Sequence, residues 1–252
     1  MNSVPNAVAV VGADQEDWAA SQKNVIVEKD DEHYCPNFVL TDLTETTGSD
    51  YEQTGFYSPC DFTAKNGTYK RQAYAGCNTV CVPFSFTASD LSETAETYAF
   101  VRYDDIGSKA IFKKVTGTIA AGTPCIVKEP RNVVWNVSLT NKKISTSTSS
   151  QNDYMMGTFV TTDAYQGKGY SPNSDNEFAP LSKYLHPFRA CLILGGESGA
   201  RGIRLVLEND VTDIDNVEVN TATLKNGKYL EKGKLVIYKN GRKHNANGST
   251  IK

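Results

Sequence analysis

RNVVWNVSL, residues 131–139, decides the fold class. Val133, Trp135, Val137 and Leu139 fall on one side of an extended chain, with Asn136 and Ser138 on the other. Period two with one polar face marks a strand that packs on one side only. The same alternation recurs in TYAFVRYDD (97–105), in ARGIRLVLE (200–208), where Ile203, Leu205 and Leu207 point inward, and in GKLVIYK (233–239). Turn clusters separate these runs: AAGTP (120–124), STSTSSQND (145–153) and SPNSDNE (171–177). Only 14–22 and 88–95 read as helical, and both are short. Many strands with turn punctuation predict an all-β protein built as an antiparallel β-sandwich.

The chain has 252 residues, enough for one large all-β domain or two ordinary ones. Apolar residues make up 39% and charged residues 22%, the balance of an ordinary globular protein, and no apolar run approaches membrane-spanning length. The opening MNSVPNAVAVVGADQEDW lacks the basic n-region and apolar core of a signal peptide. Charge is unevenly placed. Residues 221–252 hold eight Lys or Arg and one Glu, leaving 18 basic and 28 acidic residues for the rest. An acidic body with a basic terminal element follows.

That terminal element, GKYLEKGKLVIYKNGRKHNANG (227–248), alternates apolar and basic residues around Asn240-Gly241 and Asn247-Gly248. Asn-Gly tolerates the positive φ of a type I′ turn, so a small β-meander is predicted, its lysines guarding exposed edges. The division expected is an N-terminal strand or cap segment over 1–40, a β-sandwich over 41–210 and the basic meander over 211–252. The basic charge reads as a solvated face, and no nucleic-acid partner is expected.

Six cysteines, Cys35, Cys60, Cys77, Cys81, Cys125 and Cys191, include no CxxC pair. Several sit inside strand-like runs, where a thiol acts as a small hydrophobe. Mostly free, buried thiols are expected, with Cys35–Cys60 the least implausible bridge. Structural zinc is not expected, since His33, His186 and His244 lie far from any second cysteine pair. Glu28, Asp30, Asp31 and Glu32 lack the spacing of a calcium loop and read as a solvated turn. No nucleophile elbow, phosphate loop or spaced carboxylate pair stands out, and GGESGARG (195–202) reads as a hairpin connection. No catalytic residue, metal or cofactor is assigned.

The materials for recognition are loop aromatics. Tyr51, Phe56 and Tyr57 lie in TGSDYEQTGFYSP, and Tyr165, Tyr170, Phe178 and Tyr184 lie in or beside AYQGKGYSPNSDNEFAPLSKYL (164–185). Aromatic faces among Asn, Asp and Gln suit sugar stacking, and they equally suit protein-binding loops. Tyr57, Tyr165, Tyr170, Phe178 and Tyr184 are the expected ligand contacts; the alternative is that they cover the core.

Ordered pieces along nearly the whole chain carry a resemblance: KNVIVEKDDEHYCPNFVLTD (23–42), SPCDFTAKNGTYKRQ (58–72), NTVCVPFSFTASDL (78–91), IAAGTPCIVK (119–128), HPFRACL (186–192), ARGIRL (200–205) and the terminal NGKYLEKGKLVIYKNGRKHNANG. Together they resemble the C-terminal β-rich region of large Bacteroidetes secreted or cell-surface proteins, which often carry leucine-rich or other repeats upstream. The resemblance implies an extracellular or cell-surface address and supplies no catalytic residues. The expectation is a non-catalytic module, a monomer serving adhesion or ligand binding toward a glycan or a surface protein. A carbohydrate-binding module is its sharper form. A glycan hydrolase, a thiol activity using Cys35 and His33, and a structural cap on an upstream repeat domain are the alternatives. The chain departs from the usual pattern in its extra cysteines and in the 164–185 insertion.

Overall fold

A computed structural model describes residues 8–42, 55–151, 153–173, 175, 177–194, 202–208, 227–231, 234–239 and 242–245. The chain divides into two units, Met1–Asp210 and Val211–Lys252. In the first, the strands are β1 (Ala9–Gly12), β2 (Val25–Lys29), β3 (Glu32–Asp42), β4 (Phe62–Ala73), β5 (Gly76–Val80), β6 (Glu96–Asp104), β7 (Lys109–Val115) and β8 (Cys125–Glu129). They continue as β9 (Val133–Ser138), β10 (Lys142–Ile144), β11 (Ser150–Gln151), β12 (Met155–Thr158), β13 (Gly169–Pro172), β14 (Glu177–Pro180), β15 (Arg189–Ile193) and β16 (Ile203–Glu208). Two short helices, α1 (Glu16–Ala20) and α2 (Ala88–Leu91), sit where helix was predicted. Thr87 and Asp90 close a capping box on α2, which holds so short a helix in place.

The all-β, two-sheet architecture is that expected, but its pairing is mixed. The first sheet runs β1-β2-β3-β4, with β9 and β10 sharing the far edge of β4. The second runs β11-β12-β15-β13-β14-β16-β7-β6-β8-β5. β1 lies parallel to β2, β3 to β4, and β16 to β7. A parallel pair needs a long crossover, and the chain between β3 and β4 is long enough to supply one.

A domain boundary at residue 40 does not exist. It falls inside β3, which pairs with β4 from Tyr34↔Thr63 to Asp42↔Arg71. The N-terminal strands are therefore part of the main sheet. The boundary expected near 210 coincides with the edge of the first unit. The 195–202 stretch does not join a hairpin either: β15 pairs with β12 and β13, whereas β16 pairs with β14 and β7.

The first sheet changes its in–out parity at one level of the paired strands β3 and β4, beside the β9–β10 turn. In β3, Pro36 and Asn37 separate the buried Cys35 and Phe38; in β4, the four residues from Lys65 to Thr68 separate the buried Ala64 and Tyr69; Thr140 and Asn141 form the exposed turn between β9 and β10. Register is kept, since Asn37 opposes Asn66, Leu139 N–H donates to Gly67 O (2.8 Å) and Asn141 N–H to Lys65 O (3.2 Å). Gly67 permits the close approach. A Cβ there would lie 2.7 Å from Phe38 O and 3.2 Å from Leu139 Cβ.

One core fills the space between the sheets, built on Phe38, Leu40, Tyr69, Phe84, Trp135, Val137 and Phe188. A second lies inside the curl of the larger sheet, on Tyr98, Phe112, Ile126, Tyr170, Phe178 and Leu192. The curl returns the β5 end toward β15, where Cys81 N–H donates to Phe188 O at 3.1 Å.

The second unit is the meander predicted: β17 (Gly227–Glu231), β18 (Lys234–Lys239) and β19 (Arg242–Asn245), antiparallel in sequence order.

Candidate functional site

Where the curl brings β5 beside β13 and β15, it leaves a cavity of about 300 Å³. One wall is the β4–β5 turn and the other the start of the β13–β14 hairpin, with Arg71 and Arg189 below. Asparagines pin both walls. Asn78 Oδ1 accepts the Tyr74 N–H (3.1 Å) and its amide donates to Tyr74 O (2.8 Å) and Gly76 O (3.3 Å). Asn132 Oδ1 accepts the Ala75 N–H (2.9 Å). Gly76 takes φ +97°, closing the turn and leaving the Tyr74 ring 58% exposed at the rim. Opposite, Asn173 Oδ1 accepts the N–H groups of Asp175 (2.9 Å) and Glu177 (3.0 Å), an Asx turn that fixes the hairpin tip.

The floor is a buried polar chain. Arg71 donates to Thr79 O (3.0 Å) and Phe188 O (3.2 Å), so one guanidinium ties β4 to β5 and to the chain entering β15. Its Nε lies 3.5 Å from Asp42 Oδ2, which also accepts from Arg189 Nη1. The guanidinium stacks on Trp135, 5.0 Å from the ring centroid. Trp135 Nε1 donates to Glu129 (2.7 Å), a buried carboxylate that also accepts from Ser92 (2.7 Å) and Thr94 (3.0 Å). Burial, and then the neighbouring charge of Arg189, draw the Arg71 pKa down to about 10. Burial pushes the Tyr69 hydroxyl up beside this chain.

The aromatic residues predicted to contact ligand do not share a cavity. Phe178 is fully buried and stacks on Phe112 at 5.8 Å, and Tyr170 is buried in the same core. Both expectations are corrected: the β13–β14 hairpin alternates, so these rings point into the curl. Tyr165 is half-buried, its hydroxyl raised by burial. Tyr184 and Tyr57 are about half exposed, and Tyr57 lines a separate hollow with Phe56, Ser58, Pro59 and Thr146. Tyr51 lies outside the described residues.

Burial pushes the Cys35 thiol up to about 11, the wrong direction for an activated nucleophile. His33 faces Glu28 instead, at 3.8 Å. Burial and then the Arg189 charge lower the pKa of His186. Asp30 and Asp31 form the turn between β2 and β3 with φ 52° and 64°, as a type I′ turn requires. Asp104 accepts the Gly107 N–H in the turn to β7. Cys35 and Cys60 are both free thiols.

Sequence reasoning missed Tyr74, Arg71 and Arg189. One signal was present, since Tyr69, Arg71 and Ala73 keep the inward parity of β4, but an arginine in that series reads as outward-facing. Compared with protein-family models, curated proteins and solved structures, the chain matches none.

Proposed function

We propose that the first unit is a non-catalytic ligand-binding module of a bacterial secreted or cell-surface protein, and that the Arg-floored cavity holds its ligand. The observation that carries the reading is the pairing of an exposed aromatic ring with a rigid polar pocket. Tyr74 stands at the rim on a turn locked by Asn78 and Asn132, above Arg189, Ser171 and Asn173. A cavity near 300 Å³ lies at the small end of ligand sites and suits one sugar unit. Convergent hydrogen-bonding groups beside a stacking face are what a sugar ring requires. A binding role is favoured over thiol chemistry because the cavity's Cys77 has its thiol pushed up by burial.

A glycan array probed with the purified chain and with Tyr74→Ala tests this reading. Signals that the substitution abolishes support it; the variant folds, because the ring packs against little. A blank array refutes glycan recognition. Signals that survive Tyr74→Ala and vanish in Tyr57→Ala place the site at the other hollow.

A further inference from the structure

We propose that the ligand carries a carboxylate and that Arg189 grips it, so the module reads an acidic sugar. The inference rests on the cavity being the ligand site, and it follows from how the charges of the floor are placed. Arg71 and Arg189 bring two cations and share a single carboxylate, Asp42. No carboxylate is among the described residues that line the cavity. Glu129 adds a second buried carboxylate behind Trp135, so the floor carries no net surplus. Arg189 is the cation that meets the cavity with one edge free of any carboxylate among the described residues, held partly out of water, where an incoming anion is favoured.

The cation open to the cavity is Arg189. The Arg71 side chain is 2% exposed, with both terminal nitrogens committed to backbone carbonyls. Arg189 is 22% exposed, and the only bonds it makes among the described residues run from Nη1, to Asp42 and to Pro187 O. Its Nε and Nη2 edge is a planar two-donor fork that matches a carboxylate. Nearby, the Ser171 hydroxyl and the Asn173 amide nitrogen donate to no group among the described residues, and the Tyr74 ring completes the rim. A fork for one carboxylate, two neutral donors for hydroxyls and one stacking face together describe a uronic- or sialic-type residue. A single two-donor fork on one guanidinium matches a carboxylate better than a phosphate dianion.

Titration of the purified full chain with sodium D-glucuronate, D-glucose and glucose 6-phosphate, followed by NMR, tests the proposal. Glucuronate is expected to bind at least about tenfold more tightly than glucose, the margin of a charge-assisted contact. Arg189→Gln should erase that preference, because it removes the cationic fork that faces the cavity. Should that variant fail to fold, the ratio in the unaltered protein still carries the test. Equal affinity for glucuronate and glucose overturns the carboxylate assignment while leaving the binding reading intact. Preference for the phosphate overturns the assignment too. Binding of none of the three overturns both.

Discussion

Replacing Asp42 by Asn keeps the shape of the side chain and deletes the one carboxylate that two guanidiniums share. The Asp42 side chain is 1% exposed and the Arg71 side chain 2%, so solvent does little to screen the loss. Breaking a buried ion pair from one side costs about 3–5 kcal/mol, because the abandoned charge stays buried. That is a large part of a total stability of roughly 5–15 kcal/mol. For a unit of this size each kcal/mol moves Tm by roughly 2–4 °C, so a fall of roughly 6–20 °C is expected. Urea unfolding followed by tryptophan fluorescence reads the change directly, since Trp135 is fully buried against Arg71 whereas Trp18 is half exposed. Adding Arg189→Gln removes one of the stranded cations, so the double variant should be more stable than Asp42→Asn alone. A loss under about 1 kcal/mol for the single variant, or simple additivity in the double, would refute the shared-carboxylate reasoning.

Three further outcomes follow from the packing. Phe178→Ala should cost about 3–5 kcal/mol and Tyr184→Ala under about 0.5 kcal/mol, since only the first ring is core; similar values from urea unfolding would contradict the placement. Gly157→Ala should lower stability by about 1–3 kcal/mol, because its Cβ would lie 2.3 Å from the buried Cys81 sulfur; an unchanged Tm would show that this contact relaxes freely. The Cys35 thiol is raised to about 11 and those of Cys125 and Cys191 to about 12, all by burial. The unfolded chain therefore ionises first as pH climbs. Stability should be full below pH 9 and fall toward pH 12, on the order of 1 kcal/mol per thiol between pH 9 and 10. A flat urea midpoint between pH 8 and 10 would count against buried thiols.

Much of the fold was legible because alternation is a local property. Val133 to Leu139 read as a one-sided strand, and Trp135, Val137 and Leu139 are buried as that reading requires. The terminal meander was legible from its alternation and from the Asn240-Gly241 pair, which falls in the sequence between β18 and β19. Pairing partners were not, because hydrogen-bond registry depends on residues far apart in the chain. Nothing in the Asn37–Asp42 sequence says that it lies parallel to Asn66–Arg71. The change of parity at Asn37 and Asn66 was hidden for the same reason, since it is shared by two paired strands. The cavity depended on such long-range closure. Arg71 and Arg189 are 118 positions apart, and Asp42, which joins them, comes from a third strand. Tyr170 and Phe178 misled because a turn-rich insertion with aromatics reads as a surface loop, whereas the chain folds it into a hairpin whose rings complete a core.

The central claim is that ligand enters the cavity between the β4–β5 turn and β13. Chemical-shift mapping of backbone amides, with the strongest glycan from an array as titrant, tests it most directly. The predicted result is a cluster of perturbed amides at Tyr74, Ala75, Asn78, Ser171, Asn173 and Arg189. Perturbations centred on Tyr57 and Ser58, or on Asn37 and Asn66, would contradict the account.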